Sequence, residues 1–313
     1  MHVPTIVISG PTASGKSSLA IAVARTLARH QRGAEIVNAD SMLVYRGMDI
    51  GTAKPTLEER GGIRHHLIDI LDIGQRASVA DFQRLARAAI AEVRQRGHVP
   101  IVVGGSALYL RAIVDEFDFP GTDPVIRAKW EAELERIGAA GLHAELSRRA
   151  PQVAQAILPG NGRRIVRALE VIELTGKFTP ILPSWRYLLP GVTQFGLRLE
   201  RARMDELIAI RVYQMWEAGL VDEVRYLAGR GLREGPTASR ALGYRQVLAF
   251  LDGEISEEEA RDQTIAETRR FARKQLGWFR RDHRIQWLDA QDQGNVDTIS
   301  QVVLRGVETD QAT

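Results

Sequence analysis

The run Thr5-Ile6-Val7-Ile8-Ser9-Gly10-Pro11-Thr12-Ala13-Ser14-Gly15-Lys16-Ser17 decides the fold. A short apolar strand opens into the spacing GxxxxGKS, and an amphipathic helical pattern over residues 17–29 follows at once. Backbone N–H groups and the positive end of a helix dipole therefore converge on one point. Lys16 adds a mobile charge, and Ser17 supplies a hydroxyl of the kind that ligates Mg2+. Gly10, Pro11, Thr12, Ala13, Ser14, Gly15, Lys16 and Ser17 together are expected to cradle a di- or triphosphate.

Outward from this loop, apolar runs at 35–38, 66–71 and 100–103 alternate with helical patterns at 78–96 and 107–117. Ser78 with Asp81 reads as an N-cap and its capping-box acid. This βαβ succession predicts a parallel sheet whose ligands sit at the carboxyl ends of the strands. The composition breaks at Asp118-Phe119-Pro120-Gly121-Thr122-Asp123-Pro124, a turn-rich stretch. Helices without intervening strands follow at 125–137, 141–149 and 163–174, then a Pro-punctuated loop at 180–190. A returning strand at 193–200, helices at 204–218, 221–230, 239–250 and 257–278, and a short strand at 284–288 complete the reading. The organisation predicted is an α/β core, residues 1–117 and 191–313, interrupted by a small helical insertion at 118–190.

With 313 residues, 44% of them hydrophobic, the chain can bury a full core. No apolar run approaches a membrane span, and the N-terminus lacks a basic region followed by a cleavable apolar one, so a soluble, cytoplasmic protein is expected. The absence of Cys excludes disulfides, zinc knuckles and thiol catalysis, leaving Mg2+ on oxygen ligands as the expected metal. No long apolar heptad seam is present, which favours a monomer.

Charge is unevenly placed. Arg269, Arg270, Arg273, Lys274, Arg280, Arg281 and Arg284 stand against one acid, Asp282, in a chain whose net charge is only +3. Phe271, Trp278 and Phe279 interleave with them, a mixture suited to phosphates and stacked bases, or else to a solvated helix face whose aromatics turn to the core. Two strand ends supply chemistry. One ends in Asp40-Ser41, and Asp40 suits a Mg2+ ligand, a general base or a turn cap. The other ends in Gly104-Gly105-Ser106, a glycine pair that lets backbone approach a ligand before Ser106 starts a helix.

The strings GPTASGKS at 10–17, NADSMLVYRGMDIGTAKP at 38–55, VGGSALYL at 103–110, RRIVRALEV at 163–171, RALGYRQ at 240–246 and KQLGWFRR at 274–281 resemble, in order and over nearly the whole chain, the bacterial tRNA dimethylallyltransferases. The resemblance implies transfer of a dimethylallyl group from its diphosphate to N6 of the adenosine 3′ to the anticodon, with Mg2+. It implies a P-loop NTPase-like core whose cradle holds a prenyl diphosphate, and a helical insertion that clasps the anticodon stem-loop. Asp40 would take the proton of the adenine amine; Lys16, the loop amides, Mg2+ on Ser17, and Arg211 would stabilise the leaving diphosphate. Ser106, a further catalytic candidate, stands where the family more often has Thr, and Leu43 replaces the glutamine of the family's DSxQ pattern.

Toward RNA, the resemblance implies contacts from Asp40, Ser41, Met42, Leu43, Ser106, Arg127 and the run Arg163-Arg164-Ile165-Val166-Arg167. It adds Arg240-Ala241-Leu242-Gly243-Tyr244-Arg245 and Lys274-Gln275-Leu276-Gly277-Trp278-Phe279-Arg280-Arg281. Two other classes fit parts of the chain. A small-molecule kinase would use the loop for ATP but leaves the basic aromatic helix unexplained. An RNA-binding module that senses nucleotide occupancy leaves Asp40 without a task.

Overall fold

Six parallel strands in the order β3-β2-β4-β1-β5-β6 form the central sheet of the computed structural model, which describes residues 3–117, 119–179 and 185–311. β1 (Thr5–Ser9) is buried at every position and pairs on both sides, Val7 opposite Val102 and Gln194. Unbroken apolar runs are what a parallel strand covered on both faces requires. Alternation still sorts the side chains: Val7 joins Val37 and Val102 in one core, whereas Ile6 and Ile8 join Ile36, Ile101 and Phe195 in the other. Each such fully buried aliphatic side chain contributes about 1.5–3 kcal/mol.

α1 (Lys16–Arg29) follows β1, buries Ala20, Val23, Ala24 and Leu27, and leads into β2 (Ala34–Asn38). The short α2 (Leu57–Arg60) is closed by a Thr56–Glu59 capping box. β3 (His65–His66) is far shorter than the 66–71 run predicted. Leu67 and Asp69 adopt left-handed φ of 62° and 57°, which ends the ladder; Leu71 keeps only an isolated bridge to Tyr45. In α3 (Val79–Gln95) Ser78 accepts the Asp81 amide at 3.3 Å, one half of the box expected. β4 (Val99–Gly104) and α4 (Ala107–Val114) follow, and α4 stops short of 117 where Asp115 turns extended to meet Arg111 and Arg284.

Two compact units emerge. The smaller, Glu116–Arg186, is helical where described. α5 (Pro124–Arg149) begins with Asp123 accepting the amides of Val125 and Ile126 and kinks at Gly138, φ 71°. α6 (Pro151–Gln155) was not anticipated; α7 (Gly162–Thr175) starts at Asn161, whose side chain accepts the Arg164 amide. Trp130, Leu142, Leu146, Ile165, Val166 and Leu169 form this unit's own core. The break at Asp118 and residues 180–184 of the expected loop lie outside the described residues.

The larger unit comprises Met1–Asp115 and Tyr187–Thr313. Its second segment runs through β5 (Val192–Arg198), α8 (Arg201–Glu217), α9 (Leu220–Ala228), α10 (Tyr244–Leu251), α11 (Glu257–Phe279), β6 (Gln286–Asp289) and α12 (Asn295–Gln311). The single helix predicted at 239–250 is two elements. A 3-10 turn, Ala238–Arg240, is separated from α10 by Gly243 at φ 85°, a conformation that only glycine adopts cheaply. α12, missed in the sequence, packs Ile299 and Val303 into the α1 side of the core. No helix among the described residues is long and apolar enough to cross a membrane.

Candidate active site

Because all six strands run the same way, the segments that follow β1, β2 and β4 emerge along one edge of the sheet. The loop after β1 is held by local geometry. Gly10 takes φ 152°, Ala13 φ 61° and Gly15 φ 79°, and the Ser14 hydroxyl donates to Pro11 O at 2.8 Å. α1 then begins with neither a side-chain cap nor an acidic residue in its first turn. Its first amides are thus left for an anion. The Lys16 ammonium folds back onto Pro11 O at 2.5 Å. Loss of water around it, reinforced by Arg211 and opposed by Asp40, pushes Lys16 down to about 7. Arg211, on α8, is likewise depressed by burial and reaches the Thr12 hydroxyl at 3.5 Å.

After β2, Asn38 ties down the turn: its side chain accepts the Asp40 amide at 2.8 Å and donates to Leu67 O at 3.0 Å. Asp40 Oδ1 in turn accepts the Met42 amide at 2.8 Å, so the turn-cap role is real for one oxygen. Among the described residues Asp40 Oδ2 makes no hydrogen bond, nor does the Ser106 hydroxyl cap α4, although Ser106 occupies the N-cap. The glycine pair after β4 serves the protein itself rather than a close ligand approach. A Cβ on Gly104 would lie 2.3 Å from Ala39 O, and one on Gly105 2.5 Å from Gln275 Nε2.

A cavity of about 600 Å3 lies among these segments; of the loop after β1 only Thr12 lines it, and Lys16 and Ser17 do not. Thr12, Asp40, Ser106 and Arg211 line it beside Met42, Ile208, Val212 and Met215, with Arg240, Arg270, Phe271 and Lys274 also on its wall. Sequence reasoning missed the apolar wall from α8, because nothing in Ile208, Val212 and Met215 distinguishes a substrate pocket from a core stripe until the helix is placed. Glu223 was missed too. It accepts the amides of Asp49 and Ile50 at 3.1 and 2.8 Å and the Tyr244 hydroxyl at 2.5 Å, fastening the DIGTAKP loop.

Several candidate RNA contacts have partners within the protein. Ile165 and Val166 are 0% and 1% exposed in the small helical core, and Arg127 and Arg167 both pair with buried Glu170. Arg163 and Arg164 are exposed. Tyr244 and Ala241 are buried; Ala241, Leu242, Gly243 and Arg245 line the cavity, and Arg245 also pairs with Glu267. On α11, Phe279 is buried whereas Phe271 and Trp278 are exposed, Arg281 stacking over Trp278 at 4.8 Å. Arg269 and Arg273 reach Asp205, and Arg284 binds Asp115 and Asp282, so part of the basic cluster has partners within the protein. Arg270, Lys274 and Arg280 make no ion pair among the described residues. Ser41 and Met42 line the cavity; Leu43 does not, and Leu276 and Gly277 lie on α11 outside it.

A metal would have few donors. No group of three or more His, Asp or Glu among the described residues could hold one. The exposed Ser17 hydroxyl, without a hydrogen bond among those residues, fits a Mg2+ that takes most of its remaining ligands from phosphate and water.

A parallel α/β protein with a substrate-sized cavity at its strand ends is the class these features define. A family model described as IPP transferase matches residues 43–282, and the chain belongs to that family. It is 55% identical over 311 residues to a tRNA dimethylallyltransferase of Cutibacterium acnes, covering 99% of this chain and 98% of the relative. It is 59% identical over 290 residues to one of Thermobifida fusca, covering 92% and 91%. Among solved structures, a Bacillus halodurans tRNA isopentenylpyrophosphate transferase matches with TM-score 0.70 at 38% identity, covering 99% of this chain and all of that one. A eukaryotic dimethylallyltransferase described as acting on tRNA matches with TM-score 0.79 at 26% identity, covering 99% and 80%.

Proposed function

We propose that this enzyme transfers a dimethylallyl group from dimethylallyl diphosphate to N6 of adenosine 37 in tRNA, beside the anticodon, releasing diphosphate. The observation that carries the reading is the cavity. It joins a carboxylate, a hydroxyl and a half-buried guanidinium to an apolar wall that suits a five-carbon prenyl group.

The loop after β1 is read as a P-loop that holds the diphosphate on the α1 amides, Lys16 and Arg211. Mg2+, held through Ser17, would add positive charge against the phosphate oxygens. Met42, Ile208, Val212 and Met215 exclude water from the allylic carbon, which would otherwise capture it. As the C–O bond to the diphosphate breaks, the N6 lone pair forms the new C–N bond, and Asp40 accepts the proton that N6 loses. Ser106, whose hydroxyl does not cap its helix, would hydrogen-bond the adenine. The base leaves its stack to enter this pocket. Arg240, Arg270, Lys274, Arg280 and Arg281 engage RNA phosphates, and the 116–186 unit, through Arg163 and Arg164, engages the anticodon stem. We read the enzyme as a cytoplasmic monomer.

Incubation with labelled dimethylallyl diphosphate and unmodified tRNA tests this. Label must enter tRNA. Label passing instead from γ-labelled ATP to a small acceptor would replace the transferase by a kinase, and no transfer from either would leave only a binding protein.

A further inference from the structure

Gln275, next to Lys274 on α11, lines the cavity with it and is 6% exposed. Its amide spans two different strand-end loops. Oε1 accepts the Thr12 N–H at 2.9 Å, and Nε2 donates to Gly105 O at 2.8 Å. The fit is tight: any Cβ at Gly105 would come within 2.5 Å of Nε2. With both ends bonded, its amide is committed to these two loops.

We infer that Gln275 is a positioning residue that couples RNA docking on α11 to the geometry of the diphosphate loop. The loop it grips is strained, Ala13 holding φ 61° without being glycine, and such a conformation persists only where neighbours over-determine it. Two helices do so at a single residue: α11 through Gln275 to the Thr12 amide, and α8 through Arg211 to the Thr12 hydroxyl. Lys274 and Phe271, on the same helix as Gln275, are exposed on the cavity side. RNA that fixes α11 therefore fixes Thr12, and the loop is pre-formed when diphosphate arrives. By reciprocity, diphosphate tightens RNA binding by the same factor. The inference rests on the transferase reading above.

The test measures the dissociation constant of inorganic diphosphate with Mg2+, in the absence and in the presence of saturating tRNA. Wild-type protein should bind diphosphate about fivefold or more tightly when tRNA is present. Gln275→Ala should bring that ratio close to one while tRNA binding without diphosphate changes little. Gln275→Glu, equal in size, can accept the Thr12 amide but cannot donate to Gly105 O, and should also lose the coupling. Because it fills the same space, it keeps the test open if the alanine variant fails to fold. A wild-type ratio of one, or a wild-type ratio retained in both variants, overturns the coupling. Absence of dimethylallyl transfer by wild-type protein is scored by the labelled product and overturns the transferase reading instead.

Discussion

Asp40 and Met42 are joined across one turn: the carboxylate Oδ1 accepts the Met42 amide at 2.8 Å, so one oxygen shapes the loop and the other is left to the cavity. Asn at this position can still accept that amide but cannot take a proton. Asp40→Asn should therefore fold normally, bind tRNA and lose about a hundred- to ten-thousand-fold in single-turnover rate. Near-normal turnover would remove Asp40 from the base role.

Lys16 titrates near neutrality because burial strips water from its ammonium and Arg211 repels it. A bound diphosphate favours the charged form and raises this value. At pH 8 the free enzyme holds Lys16 mostly neutral, so diphosphate binding should take up close to one proton; at pH 6 it should take up almost none. Calorimetry in buffers of different ionisation enthalpy reads this directly. Equal uptake at both values would place the proton elsewhere.

Replacing Lys274, Arg280 and Arg281 with Ala should weaken tRNA binding and flatten its salt dependence, each lost phosphate contact removing roughly 0.7 to 0.9 from the slope of log affinity against log salt. Lys274 and Arg280 hold no internal ion pair among the described residues, so the melting temperature should hold. A lower melting temperature with an unchanged slope would make this a structural face.

Arg284 belongs to the same basic run and should behave oppositely. It binds Asp115, 0% exposed, and Asp282, 5% exposed, at 2.7 Å each. Arg284→Ala leaves buried carboxylates undercompensated and should cost about 3–5 kcal/mol of stability in denaturant unfolding. A loss confined to tRNA affinity would contradict this assignment.

This contrast shows what was legible in the sequence. Strand, loop and helix at 5–29 follow from local pattern alone, and so do Asp40 and Ser106 at strand ends. The charge run did not reveal its own division. Arg280 and Arg284 look alike until Asp115, far away in the chain, is brought beside one of them. Gln275 falls in the run expected to meet RNA, and no local pattern announces that its amide also ties Thr12 to Gly105. The helix predicted through 243 failed because a left-handed glycine reads as merely tolerated in an apolar pattern, and β3 failed because Leu67 takes a left-handed conformation that leucine rarely adopts, followed by a second at Asp69. α12 went unread although Val296, Ile299 and Val303 recur at helical spacing.

The central claim, N6 prenylation in the cavity at the sheet edge, is tested most directly by digesting tRNA after reaction and weighing its nucleosides. Wild-type enzyme with dimethylallyl diphosphate should convert the adenosine beside the anticodon to its N6-dimethylallyl form, and Asp40→Asn should leave almost all of it unmodified over the same time. Unmodified adenosine after reaction with wild-type enzyme, or a prenyl group on another atom or nucleotide, would contradict the account.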